Sequence, residues 1–155
     1  MSELDANVVA MLTRHRAVAY FQAALDIVPR NSALEPKYFT FSHSIELALK
    51  AYLMVNGHSI NFCRKLKHDL KKAMQLAESH QLGLSEHNQA VIASLSEQHN
   101  RPFSFRYFNP DGWSAPNFLN VERCCRSLLL IAQGPITART RHRSDRRGRS
   151  APRFV

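Results

Sequence analysis

The residues of this chain best suited to chemistry fall in two neighbouring stretches. In SHSIELALKAYL, His43, Glu46 and Lys50 stand at i, i+3 and i+7, so one helical stripe is polar and titratable. Facing a groove, that stripe can contact a nucleotide or a metal; on an open surface it is a solvated face with an ordinary Glu46–Lys50 pair. In KLKHDLKKAM, His68 directly precedes Asp69, a residue suited to cap a helix N-terminus. An imidazole there meets the positive end of the helix, which favours its neutral form and suits anion contact. On the plainer reading it is a loop histidine that helps the turn.

A third group lies in NRPFSFRYFNPDGWSAP, where Arg106 and Tyr107 sit among Phe103, Phe105, Phe108 and Trp113. A guanidinium beside stacking rings suits a base and its phosphate; equally, the rings can plug one end of a helical bundle. Arg64 and Arg101 are further cations near these groups. Other chemistries are absent from the pattern: there is no glycine-rich phosphate loop, no H-E-x-x-H and no G-x-S-x-G. Cys63, Cys124 and Cys125 have neither a disulfide framework nor zinc-ligand spacing, and the last two read as small core residues. No cofactor and no metal centre is implied.

The elements that must position these residues read as helices. Val18, Phe21, Leu25 and Val28 line one face of a first helix that ends before Pro29. Pro36 suits the first turn of a second helix and Gly57 its C-terminal cap, with Ile45, Leu49, Tyr52 and Leu53 as the apolar stripe. Asp69 opens a third, carrying Leu70, Ala73, Met74 and Ala77 to a stop at Gly83. Ser85 opens a fourth with Val91, Ile92 and Leu95. Pro116 lies near the start of a last helix bearing Phe118, Val121, Cys125, Leu128, Leu129 and Ala132. The expected fold is all-α: an antiparallel up-and-down bundle of four main helices plus a shorter one over residues 1–133, followed by a disordered Arg-rich tail over 134–155.

The 155 residues suit one domain. The formal charge of +9 excludes an acidic solvating protein and invites a polyanion partner. It divides unevenly: seven Arg and one Asp place +6 in residues 134–155, leaving +3 for the first 133. All six Lys lie between positions 37 and 72. The opening MSELDANVVAMLTRHR carries early acids and no sustained apolar stretch, so neither a secretory signal nor membrane association is expected, and a cytoplasmic location is.

The stretch from Phe41 to Leu76 resembles the HEPN superfamily of small helical bundles, found beside nucleotidyltransferases or as toxins in conflict systems. The resemblance is carried by the helix HSIELALKAYLMVNG, then KHDLKKAMQLA with its His-Asp-Leu, and later by Phe105–Tyr107 ahead of a closing helix; it covers residues 13 to 133. It implies a homodimer acting on or near RNA or nucleotides, with a nucleotidyltransferase or an antitoxin as partner. Catalytic members resemble one another in an Arg followed, after four to six residues, by a His. No His here has an Arg at that spacing; Arg64 and His68 have three residues between them. The expectation is therefore a non-catalytic binding module that contacts nucleotide, RNA or a partner protein through Arg64, His68, Arg101, Arg106, Tyr107, His43 and Lys50. The alternatives are a diverged metal-independent endoribonuclease, with His68 as acid/base and Arg64 or Arg106 on the phosphate, and a protein-only accessory subunit.

Overall fold

A computed structural model describes residues 5–31, 33–101, 105 and 112–148, with side chains as far as 138. The described residues form six helices and no strand: α1 (Ala6–Asp26), α2 (Glu35–Val55), α3 (Ile60–Lys65), α4 (Leu70–Ser79), α5 (Glu86–His99) and α6 (Phe118–Gly148). None is long and apolar enough to cross a membrane.

Contacts between helices set their directions. Ser44 Oγ donates to Ala17 O, and Phe21 packs on Phe41, so α1 and α2 run antiparallel. Tyr38 stacks on Phe118 and Ser44 meets Cys125, so α6 runs alongside α2 in the same sense. Ser96, near the end of α5, meets Asp69 and Lys71 at the start of α4, so those two are antiparallel. The chain thus goes up and down with α2 at the centre, touching each of the other five helices. Thirteen of its side chains are buried, including Phe41, Ile45, Leu49 and Leu53. A helix enclosed this way buries residues outside its apolar stripe as well, and Glu46 is one of them.

Several boundaries follow the predicted caps. Asp69 accepts from Lys72 N and Ser85 from Asn88 N, each opening its helix. Gly57, at φ +96°, takes the left-handed turn that closes α2. Four details differ from expectation. Val28 is off the helix and 76% exposed, because Pro29 disfavours helical backbone at the residue before it and Ile27 is already extended. The third predicted helix ends at Ser79 rather than at Gly83; Gln81 and Gly83 turn the chain at positive φ, and the Glu78 carboxylate accepts from Gly83 N and Leu84 N. The segment between the second and third predicted helices contains α3, opened by Ser59, which accepts from Phe62 N. The last helix continues through Gly134 and Pro135, because its buried stripe runs on from Ala132 to Ile136, four residues later. The arginine side chains from 139 onward, and residues 149–155, lie outside the described residues.

Candidate functional site

The polar stripe of α2 faces inward. Glu46 is 4% exposed, and two further segments converge on its carboxylate beside its own helix. Lys50 Nζ, one turn along α2, donates to Oε1 at 2.7 Å. His99 Nε2, from the last residue of α5, and His68 Nδ1, from the turn before α4, lie 2.8 and 3.0 Å from Oε2. His43 Nδ1, one turn back on α2, is 3.7 Å from Oε2, too long for a hydrogen bond but close enough to act through its charge when protonated. Of the reading that left this stripe on a solvated face, only the Glu46–Lys50 pair survives.

Burial by itself would raise the Glu46 pKa, but His43, His99, Lys50 and His68 outweigh it and hold the group far below the usual carboxylate range. Glu46 is therefore a fixed anion at any ordinary pH. The imidazoles around it differ in access: the His99 side chain is fully buried, that of His43 is 25% exposed and that of His68 is 41% exposed.

The local backbone explains how His68 arrives. Lys67 adopts φ +49°, a left-handed conformation uncommon for a side-chain-bearing residue. That turn sends the Lys67 carbonyl to Lys50 Nζ at 2.6 Å and brings the next residue, His68, to the carboxylate. The Asp69 cap and Ser96 Oγ, which accepts from Lys71 N, then anchor the start of α4 to α5. Two of the first amides of α4 are thereby satisfied internally, so what His68 meets is a carboxylate rather than an open helix end.

In the stretch that carries His68, Arg64, Lys65, Lys67, Lys71 and Lys72 are all exposed, with Asp69 its single acid. Five cations against one acid thus flank His68 along the chain. Arg101 is exposed two residues beyond His99. Arg106 and Tyr107 lie outside the described residues and are not placed with the site. Two of the neighbouring rings pack at the start of α2: Phe105 stacks on Tyr38 at 5.6 Å, and Trp113 meets Tyr38 edge-on at 5.2 Å while its Nε1 donates to Glu35; Phe103 and Phe108 lie outside the described residues.

His99 escaped the sequence reading. Its signal was positional, since it continues the buried stripe of Ile92 and Leu95 at the next i+4 step. A second histidine pair was also missed: His58 and His80 bring their Nε2 atoms to 2.9 Å where the end of α4 meets the turn after α2. Comparison with protein-family models, with curated proteins and with solved structures gave no match.

Proposed function

We propose that this chain acts on RNA as a metal-independent endoribonuclease whose proton-transfer residue is His68. The observation that carries the reading is a partly exposed imidazole whose Nδ1 is held by a buried, permanently ionised carboxylate. Such a partner fixes the ring and favours the proton on Nδ1, leaving Nε2 as the nitrogen that takes up and releases a proton. The five exposed cations over 64–72, the segment that carries His68, suit a phosphodiester backbone.

In the reaction, His68 Nε2 removes the proton of a ribose 2′-hydroxyl. The 2′-oxygen bonds to the adjacent phosphorus and the P–O5′ bond breaks. The departing 5′-oxygen takes a proton from solvent or from protonated His43, leaving a 2′,3′-cyclic phosphate and a 5′-hydroxyl. Arg64, exposed in the last turn of α3, balances the charge that develops on phosphorus.

The test is cleavage of end-labelled RNA in the presence of EDTA. Wild type should produce 2′,3′-cyclic ends, and His68→Ala should slow cleavage by about 10²–10⁴-fold, the usual span for a lost acid/base. Because His68 is exposed on one side, the variant should stay folded. The second reading, a binding module without catalysis, is favoured by the lack of an Arg at the family's spacing before any His. It corresponds to salt-sensitive RNA binding without cleavage. Absence of binding at low salt would sink both.

A further inference from the structure

His43, Glu46 and His99 offer two imidazole nitrogens and one carboxylate oxygen that all lie within 4.8 Å of one another. We propose that His43 Nδ1, Glu46 Oε2 and His99 Nε2 form a binding site for one zinc ion. Zinc holds nitrogen and oxygen ligands at about 2.0–2.2 Å, and tetrahedral geometry at that radius spaces ligand atoms by about 3.3 Å. The observed separations from Oε2, 2.8 Å to His99 and 3.7 Å to His43, straddle that figure. Those two separations therefore need to change by only about half an ångström to close round an ion, while the two imidazole nitrogens lie within 4.8 Å of each other.

The donors are already aimed. The His43 ring stacks on Phe39 at 6.0 Å and meets Tyr20 edge-on at 4.5 Å. Phe39 also packs on the His99 ring at 5.7 Å, so one side chain holds both imidazoles toward the carboxylate. Lys50 occupies Oε1, which keeps Oε2 on the side of the rings. Two neutral imidazoles and one carboxylate make a borderline donor set, which suits zinc and the neighbouring late transition metals better than magnesium or calcium. Three protein ligands leave a fourth position for water or another ligand.

Occupancy has a chemical consequence at the neighbouring residue. Glu46 Oε2 is the atom that holds His68 Nδ1. An ion bonded to that oxygen competes with the imidazole for it, which makes zinc an inhibitor of proton transfer by His68. Only this consequence rests on the RNA-cleavage reading; the binding site does not.

The experiment is zinc titration of the full chain, stripped with a chelator, against a chromophoric zinc indicator, without RNA. One zinc per chain is expected in wild type. His43→Ala and His99→Gln should each weaken it by at least about tenfold, the lower end of what losing even an outer partner does to a metal site. His58→Ala/His80→Ala should bind as wild type does. His43 is a quarter exposed, so its variant should keep the wild-type circular dichroism spectrum and remain readable if His99→Gln unfolds. Absence of stoichiometric binding, or unchanged affinity in folded His43→Ala, would overturn the site. RNA cleavage is measured separately in EDTA, so either reading can fail without the other.

Discussion

Glu46→Gln removes one charge from the centre of the bundle while keeping the shape of the side chain. In wild type the carboxylate receives Lys50 at 2.7 Å, His99 at 2.8 Å and His68 at 3.0 Å, from a position only 4% exposed. Breaking a buried ion pair by removing one partner costs about 3–5 kcal/mol, because the other charge is left without compensation. Here the lower end applies. The Lys50 side chain keeps 14% exposure and its bond to the Lys67 carbonyl, and neutral imidazoles can accept hydrogens from the new amide. A loss of about 3 kcal/mol lowers the melting temperature of a chain this size by roughly 6–12 °C. Thermal unfolding followed by circular dichroism at pH 7 reads it. The pH dependence follows from the depressed pKa of Glu46: its contribution is fully present above the ordinary value of 4.5 and declines as pH falls below that toward the folded value. The gap between wild type and Glu46→Gln should therefore be constant from pH 8 to 5 and narrow in stronger acid. Adding Lys50→Met should recover part of the loss, since the stranded cation goes with its partner. A variant within about 1 kcal/mol of wild type, the range of an exposed pair, would refute the buried-anion reasoning.

Three further expectations concern other parts of the fold. Burial and the neighbouring His80 lower the His58 pKa, so its contribution is full above 6.5 and is lost as pH falls below; stability should drop between pH 7 and 5, and His80→Phe should flatten that slope. Burial pushes the Cys124 and Cys125 thiols up to about 12, so both should resist alkylation in the native state; because thiols in the unfolded chain ionise near 9, stability should fall as pH rises beyond that value. Gly57→Ala meets no atom within 4 Å of the added carbon, so its cost is that of the left-handed backbone alone, about 1–2 kcal/mol, readable as a lower denaturant midpoint with an unchanged m-value.

Local signals carried much of the fold. Asp69, Ser85 and Gly57 located three helix ends, and the apolar stripes the buried faces, because capping and periodicity act within a turn or two of chain. The same stripes were silent about α3, which has six residues and only one fully buried side chain, and about α6 beyond Gly134 and Pro135, where Ile136 finds burial despite two poor helix formers.

The site divides along the same line. Sequence spacing by itself placed His43, Glu46 and Lys50 on one stripe and His68 before a helix cap, since those relations depend only on the 3.6-residue repeat and on the chemistry of Asp69. Whether Glu46 faced water or the interior was decided by tertiary structure, because α2 is enclosed by five other helices and spacing carries no information about how many neighbours a helix has. The same packing brought in His99, fifty-three residues away along the chain. A lone histidine at the end of an apolar stripe reads as core until the partner across the interface is known. Here the partner is a carboxylate, and that meeting turns four scattered polar residues and one overlooked histidine into a site.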